Sequence, residues 1–193
     1  MTVRPTIRRA IILSAGQGSR LLPLTKTRPK CLIEVGGKAI LDHQLNALFA
    51  AGIAEVVIVT GYLGEQITAH VAPRGDSVQT VVNPYWATVS SIGSLWVARH
   101  FLSDGFIVMN GDTVYEPAIL RHAIADARDG VNLLVEALTE GAEHDDMRVS
   151  VRDGAIVAVA KTLPDADATH RSLGVILVQD DGGGYAAMLN TIY

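Results

Sequence analysis

An alternation of short apolar runs with amphipathic segments, up to residue 140, is the strongest constraint on how this chain folds. The apolar runs are rich in valine and isoleucine, and most are continuous, which is typical of strands covered on both faces. They predict strands at 10–13, 55–60, 78–82, 106–109 and 132–136, and the segments between them predict helices at 40–51, 63–71, 92–101 and 117–126. Strand–helix–strand alternation indicates an α/β fold with three layers around a mainly parallel sheet.

The pattern changes after residue 140. Short strand-like runs at 147–151, 156–160 and 173–178 are joined by polar loops, which predicts an antiparallel C-terminal addition to the sheet. We therefore expect a Rossmann-like α/β fold in a single domain that spans residues 1–193. The chain ends in a helix-like segment at 185–189 without a capping signal, so we also expect truncation at the C-terminus or a place within a longer protein.

Charge, hydropathy and cysteine content narrow the classes of function. The formal net charge of −4 disfavours a general nucleic-acid binder, which would carry a basic surplus. No apolar run approaches the length of a membrane span, so we expect no membrane association. Cys31 is the single cysteine, so no internal disulfide can form, and a cytoplasmic location is expected. A homodimer is the expected assembly.

A glycine-rich turn follows the first predicted strand. Gly16 and Gly18 stand at its carboxyl end, where α/β sheets bind ligands, and glycines there let backbone N–H groups approach phosphate oxygens. Four basic residues follow at Arg20, Lys26, Arg28 and Lys30. Such a loop suits a nucleoside triphosphate, although a tight turn with solvated cations explains Gly-x-Gly equally well on its own.

Two familiar phosphate-binding motifs do not match this loop. A Walker loop needs Gly-Lys-Ser/Thr, whereas Ser19 and Arg20 follow Gly18 here. A dinucleotide fingerprint needs a third glycine or an alanine where Leu21 stands, which disfavours an NAD-dependent dehydrogenase. What is left is Gly-x-Gly-x-Arg, followed by Pro23 and then by a Pro-Lys pair at 29–30.

A second candidate site follows the fourth predicted strand, where Asn110, Gly111 and Asp112 end an apolar run. Asp112 would face the same edge of the sheet as the glycine loop, and its hard carboxylate oxygens suit Mg²⁺ bridged to a triphosphate. These residues are also typical of a turn before a helix, so this stretch alone leaves open whether Asp112 has only a structural role. The glycine loop upstream favours the metal site.

The glycine loop and the motifs after it resemble the nucleotidyltransferase family that activates sugar phosphates and related phosphate esters. AGQGSR at 15–20 and RPKCL at 28–32 match the family's Gly-x-Gly-x-Arg loop and Pro-Lys motif with nearly the same spacing. GGK at 36–38, IL at 40–41 and VTGY at 59–62 continue the likeness, which is strongest over the first 115 residues. The stretch NPYWATVSSIGSLWVARHF at 83–101 looks more like the branch of phosphocholine, phosphonate and inositol-phosphate cytidylyltransferases.

The resemblance implies a role for each matching residue. Arg20 would hold the β- and γ-phosphates with the loop amides, Lys30 would contact the α-phosphate or the acceptor, and Asp112 would hold Mg²⁺, the predicted cofactor. These three are the predicted catalytic residues. The predicted nucleotide-binding residues, which would border the phosphates, ribose and base, are Leu13, Ser14, Ala15, Gly16, Gln17, Gly18, Ser19, Gly61 and Tyr62. The family's second acidic ligand has no match, since Asp165, Asp167, Asp180 and Asp181 are better interpreted as solvated loop acids.

The predicted acceptor-binding residues are Trp86, Ser91, Glu136 and Lys161. Aromatic side chains such as Trp86 could enclose an ammonium group, and many relatives place a lysine near the acceptor phosphate where Lys161 stands. Each charged residue could equally be a solvated loop charge. Trp96 is expected in the core, and Cys31 is expected to be a small buried thiol rather than a nucleophile.

Together these features predict a nucleotidyltransferase that releases pyrophosphate. The resemblance to the cytidylyltransferase branch implies that it moves CMP from CTP to a small phosphate or phosphonate acceptor, such as phosphocholine or an alkylphosphonate. One alternative is a sugar-1-phosphate or inositol-phosphate nucleotidylyltransferase. Another is a nucleotide-binding domain of a larger protein that lacks turnover, which the missing second acid favours.

Overall fold

Two compact units make up the chain. The computed structural model describes residues 7–103, 105–138, 146–179 and 182–192. Its contacts divide the chain into a larger unit, residues 1–132 with 177–193, and a smaller unit, residues 133–176. That the whole of 1–193 is one nucleotidyltransferase domain stays a prediction.

The predicted strands and helices occur in the predicted order, and the structure adds two short strands, at Glu34–Val35 and Lys38–Ala39, that were not predicted. In chain order the strands and helices are β1 Arg9–Ser14, β2 Glu34–Val35, β3 Lys38–Ala39, α1 Ile40–Ala50, β4 Glu55–Thr60, α2 Gly64–Val71, β5 Val78–Val82, α3 Ser91–Val97, β6 Phe106–Asn110, α4 Pro117–Asp126, β7 Gly130–Ala137, β8 Arg148–Arg152, β9 Ala155–Ala160, β10 His170–Gln179 and α5 Gly182–Ile192. Short 3₁₀ turns lie between them at Ser19–Leu21, Leu24–Lys26, Lys30–Leu32, Ala72–Ser77 and Arg99–Phe101.

A parallel sheet with the strand order β5-β4-β1-β6 forms the centre of the larger unit. β1 pairs in parallel with both neighbours, so that Ile11 lies opposite Val57 on β4 and Val108 on β6. Branched side chains fit this pleated surface, and Ile12 and Ile58 are completely buried in it. The predicted Rossmann-like, mainly parallel sheet is confirmed.

Four helices of the larger unit pack in two pairs. α1 buries one face, which includes Leu41, Leu45 and Leu48, and it contacts α4. α3 contacts β1 and β4 and also packs with α5. α3 is shorter than predicted, because the backbone leaves the α-helix at Ala98 and continues as the 3₁₀ turn Arg99–Phe101. Among the helices of the described ranges, none is long and apolar enough to cross a membrane.

The smaller unit contains the predicted antiparallel addition. β8 and β9 form an antiparallel hairpin, whose turn contains Asp153 and Gly154 with φ angles of 50° and 74°. Two consecutive left-handed residues are the geometry of a tight hairpin turn. β10 pairs antiparallel with β8, and β7 pairs with β10.

Replacing Ile58 by Ala should lower the free energy of unfolding by about 2–5 kcal/mol, because it opens a cavity at the centre of the sheet. Val82→Ala on the adjacent strand β5 is the matched control, since Val82 is 63% exposed. That control should change the free energy by no more than about 0.5 kcal/mol. Urea unfolding measures both variants, and equal losses would contradict the placement of Ile58 in the core.

Candidate active site

The candidate site lies in the larger unit, at the carboxyl ends of β1, β4 and β6. These parallel strands are neighbours, so the loops that follow them meet at one edge of the sheet, the usual ligand-binding edge of α/β folds. Backbone hydrogen bonds tie the segments after β4 and β6 to the end of β1: the Tyr62 N–H donates to the Ala15 carbonyl at 2.9 Å, and the Gly111 N–H donates to the Leu13 carbonyl at 3.0 Å. The structure therefore brings together the segments of the predicted nucleotide-binding residues and Asp112.

Gly18 brings the glycine loop close to Lys30. Its φ of 65° is left-handed, and a Cβ added there would lie 3.2 Å from both the Cβ and the Cδ of Lys30. The buried Thr25 hydroxyl donates to the Gly18 carbonyl at 3.0 Å and so stabilises the turn. The left-handed backbone therefore favours glycine here, and a Cβ would in addition require the Lys30 side chain to shift by a few tenths of an ångström.

Lys30 and Asp112, two of the predicted catalytic residues, contact each other directly. Lys30 Nζ donates to Asp112 Oδ2 at 2.7 Å, and the two side chains are 28% and 37% exposed. The other carboxylate oxygen, Oδ1, accepts a hydrogen bond from the Thr113 hydroxyl at 3.3 Å. Arg20, the third predicted catalytic residue, lies exposed in the 3₁₀ turn Ser19–Leu21.

The start of α2 supports the segment between Gly18 and Lys30. The Tyr62 hydroxyl donates to the Lys26 carbonyl at 2.8 Å, and Gln66 Nε2 donates to the Thr27 carbonyl at 3.1 Å. Tyr62, predicted to border the nucleotide, therefore also fixes the backbone that leads to Lys30.

Trp86, predicted on the acceptor side, lies against residues predicted to bind the nucleotide. Its ring meets the Tyr62 ring edge-on with centroids 5.4 Å apart. A Cβ at Gly61 would lie 2.5 Å from Trp86 Cβ and 2.7 Å from the Ala15 carbonyl oxygen. Trp86 thus forms a wall beside the ends of β1 and β4.

Asn83 organises the loop that contains Trp86, and sequence reasoning did not identify it as a site residue. Asn83 is fully buried, its Nδ2 donates to Ser94 Oγ at 3.0 Å, and its Oδ1 accepts the Tyr85 N–H at 2.9 Å. The second bond is an Asx turn, for which an Asn directly after a predicted strand is a recognisable signal.

The remaining predicted acceptor residues lie in different places. Ser91 is exposed at the start of α3 in the larger unit, whereas Glu136 and Lys161 belong to the smaller unit. Glu136 Oε2 accepts hydrogen bonds from Arg171 Nε and Nη2 at 2.9 and 2.7 Å, and Asp146 Oδ2 accepts one from Nη1 at 3.2 Å. The hydrogen bonds from Glu136 and Asp146 raise the pKa of Arg171. Glu136 is therefore engaged by a cation of its own chain.

The sequence predicts buried structural roles for Cys31 and Trp96, and the structure confirms the burial of Cys31 only. Cys31 is buried as predicted, and burial raises the pKa of its thiol to about 11, against a smaller opposite effect of the Ser14 hydroxyl. Trp96 is half-buried rather than part of the core. Its Nε1 donates to Asn190 Oδ1 on α5 at 3.1 Å, and the Arg99 guanidinium lies 4.0 Å from the centre of its ring.

The donor set at Asp112 fits Mg²⁺ bound together with a nucleotide. Within the described ranges, no three His, Cys, Asp or Glu side chains cluster as a metal centre. Mg²⁺, however, is commonly held by one or two carboxylates plus substrate phosphates and waters, so one half-exposed carboxylate beside a phosphate loop is adequate. Of the acids considered for a second ligand, Asp165 pairs with Arg148 in the smaller unit, while Asp180 and Asp181 lie outside the described residues.

At its carboxyl edge the Rossmann-like sheet carries a Gly-x-Gly-x-Arg loop, the lysine of a Pro-Lys pair and an aspartate. Together these features define a nucleotidyltransferase-type domain. The family model of the MobA-like NTP transferase domain matches residues 10–144 of the chain. The chain belongs to this family.

Curated relatives and solved structures agree with that assignment. The chain is 40% identical over 119 residues to CMP-5'-(3-aminopropyl)phosphonate synthase of Streptomyces rubellomurinus, covering 61% of this chain and 19% of that protein. It is 34% identical over 100 residues to choline-phosphate cytidylyltransferase of Streptococcus pneumoniae, covering 52% of this chain and 43% of that protein. The chain thus spans less than half the length of either relative.

The inositol-1-phosphate CTP transferase from T. maritima superposes with a TM-score of 0.79 at 21% identity, over 96% of this chain and 75% of that structure. This likeness concerns the fold.

Gly18→Ala should lower the free energy of unfolding by about 1–2 kcal/mol, because alanine is strained in the left-handed conformation and its Cβ crowds Lys30. Gly16→Ala is the matched control in the same loop, since no atom lies within 4 Å of a Cβ built at Gly16. Urea unfolding without nucleotide measures both. Equal stability of the two variants would contradict a backbone and steric constraint at Gly18.

Cys31 should react with iodoacetamide at pH 8 about 100-fold more slowly than an ordinary thiol, because its raised pKa lowers the thiolate fraction and burial limits access. The same chain in urea should react at the ordinary rate. Mass spectrometry of quenched samples follows the alkylation, and rapid labelling of the folded protein would contradict a buried, protonated thiol.

Proposed function

We propose that this domain transfers CMP from CTP to a small phosphate or phosphonate acceptor and releases pyrophosphate. The contact of Lys30 with Asp112, beside the loop that Gly18 shapes, is the observation that carries the proposal. It supplies a cation and a carboxylate next to backbone amides at the ligand-binding edge of the sheet. The similarity to cytidylyltransferases for phosphonate and phosphocholine acceptors supports CTP as the donor.

The chemistry is an in-line displacement at the α-phosphorus. An acceptor oxygen forms a bond to the α-phosphorus while the bond to the bridging oxygen breaks, and pyrophosphate leaves with that electron pair. A phosphate or phosphonate oxygen is already anionic, so the reaction needs no strong general base. Catalysis then consists of positioning and of neutralising charge on the phosphates.

Each side chain of the site has a part in this scheme. The loop amides of Gly16–Ser19 and the Arg20 guanidinium would hold the β- and γ-phosphates, and the Lys30 ammonium would approach the α-phosphate or the acceptor. Asp112 would hold Mg²⁺, which supplies charge neutralisation on the triphosphate when bound. In the free domain Lys30 neutralises Asp112, so nucleotide binding would exchange this ion pair for contacts of each partner with the ligand.

The relatives and the aromatic wall at Trp86 support the proposed acceptor class. Aminopropylphosphonate and choline phosphate both combine a phosphorus acid with an amine or ammonium group, and an aromatic ring such as that of Trp86 attracts cations of this kind. Ser91, Glu136 and Lys161 remain the further candidates for acceptor binding. An inositol-phosphate acceptor is the alternative that agrees with the fold likeness to the T. maritima enzyme.

Nucleotide binding without turnover is a second candidate function. The observation that favours it is that, among the described residues, Asp112 belongs to no cluster of three His, Cys, Asp or Glu side chains, so that Mg²⁺ would be held there only together with a bound nucleotide. Binding of CTP with no pyrophosphate release for any acceptor would select this function. A panel of CTP, UTP, GTP and ATP with phosphocholine, 2-aminoethylphosphonate, inositol 1-phosphate and glucose 1-phosphate distinguishes the candidates.

Asp112→Asn should reduce Mg²⁺-dependent pyrophosphate release by roughly 100-fold or more, because the neutral amide cannot hold the cation on the phosphates. Lys30→Ala should lose more than about tenfold. Asp153→Asn is the control for the charge change, since Asp153 is exposed in the β8–β9 turn of the smaller unit. An enzyme-coupled phosphate assay with added pyrophosphatase measures all three, and undiminished turnover of Asp112→Asn would reject its role.

A further inference from the structure

Gln44 is a fully buried polar residue on α1, on the helix face that packs into the core. Its Nε2 donates two hydrogen bonds of 2.7 Å, to the carbonyl oxygens of Asn110 and Thr113. These two carbonyls are the ones immediately before and after Gly111 and Asp112. One side chain therefore spans the turn that carries the predicted metal ligand.

The chemistry of these contacts requires an amide. Both partners are carbonyl oxygens, so the group that faces them must offer two N–H donors, which glutamine has and glutamate lacks. The other amide atom, Oε1, is buried without a hydrogen-bond partner among the described residues. A buried unpaired acceptor is unfavourable, so packing alone would be better served by an apolar side chain of the same size.

The turn is held from two directions at once. The Gly111 N–H donates to the Leu13 carbonyl of β1 at 3.0 Å, while Gln44 holds the flanking carbonyls from α1. With its backbone fixed at both ends, Asp112 has a defined position from which Oδ2 reaches Lys30.

α1 also contacts the segment that bears Lys30. The helix packs on the 3₁₀ turn Lys30–Leu32, and the N–H of its first residue, Ile40, donates to the Ile33 carbonyl at 3.0 Å. The same helix thus positions both partners of the ion pair. Movement of α1 relative to the sheet would disturb the two together.

We propose that Gln44 is a positioning residue that fixes the Asp112 turn so that its carboxylate can hold a divalent cation against the nucleotide phosphates. This inference rests on the proposed function, because it assigns Gln44 to the metal side of the same site. Gln44 itself touches neither substrate nor metal. It acts through the backbone of residues 110–113.

Two substitutions separate the hydrogen bonds from the packing. Gln44→Met keeps approximately the length of the side chain and removes both donors, and Gln44→Glu keeps the shape but turns a carboxylate towards two carbonyl oxygens. Leu48→Ala is the control, because Leu48 is fully buried on the same helix and its truncation weakens the core without removing a bond to the turn. All variants are compared at a temperature where each is at least nine-tenths folded.

The first readout does not depend on turnover. Hydrogen exchange of the amides at 110–113 should be faster in both Gln44 variants than in Leu48→Ala, and Mn²⁺ binding to the CTP-loaded domain, followed by electron paramagnetic resonance, should weaken by roughly 10-fold to 100-fold. CTP binding in the presence of EDTA should change by less than about threefold, because the phosphate loop is retained. Exchange and Mn²⁺ affinity equal to those of the control would overturn the inference.

The second readout is the Mg²⁺ dependence of pyrophosphate release. The Mg²⁺ concentration for half-maximal rate should rise by roughly tenfold or more in Gln44→Met, and it should stay unchanged in Leu48→Ala. If the unmodified domain releases no pyrophosphate with any acceptor, the proposed function fails, while hydrogen exchange and Mn²⁺ binding still decide the role of Gln44. If the domain turns over and Gln44→Met keeps the normal Mg²⁺ dependence, the inference alone fails.

Discussion

The ion pair between Lys30 and Asp112 is the contact on which the candidate site depends. Its two partners come from loops after different strands, so the pair forms only when β1 and β6 lie side by side in parallel. The pairing of Val- and Ile-rich strands thus determines which polar side chains meet at the edge of the sheet. At that edge Lys30 Nζ and Asp112 Oδ2 lie 2.7 Å apart.

Each partner of the pair is held by a different kind of local constraint. Lys30 lies close against the loop at Gly18, where a Cβ would crowd its side chain. Asp112 depends on backbone hydrogen bonds, from Gly111 to β1 and from Gln44 to the carbonyls on either side. The absence of a Cβ at Gly18 thus helps to position the Lys30 ammonium, and the Gln44 amide helps to position the Asp112 carboxylate by fixing its turn.

Local sequence patterns were sufficient to predict the parallel strands and the charged residues of the candidate site. Continuous apolar runs located the parallel strands, and the Gly-x-Gly-x-Arg loop, the Pro-Lys pair and the Asn-Gly-Asp turn led to the prediction of Arg20, Lys30 and Asp112 as site residues. It did not predict Gln44, because a single glutamine within an amphipathic helix carries no signal until the turn behind it is known. It also did not predict that Trp86 packs on Gly61 and Tyr62.

The exposure of the ion pair bears on how a ligand could enter. A buried pair would be expensive to separate, since each charge would be left without a partner in a medium of low dielectric constant. Lys30 and Asp112 are 28% and 37% exposed, and pairs with this access to water contribute about 1 kcal/mol or less. A triphosphate with its divalent cation offers several opposite charges to each partner. The free domain can therefore keep its cation and its carboxylate paired in the geometry of the site, and the proposed ligands can separate them at small cost.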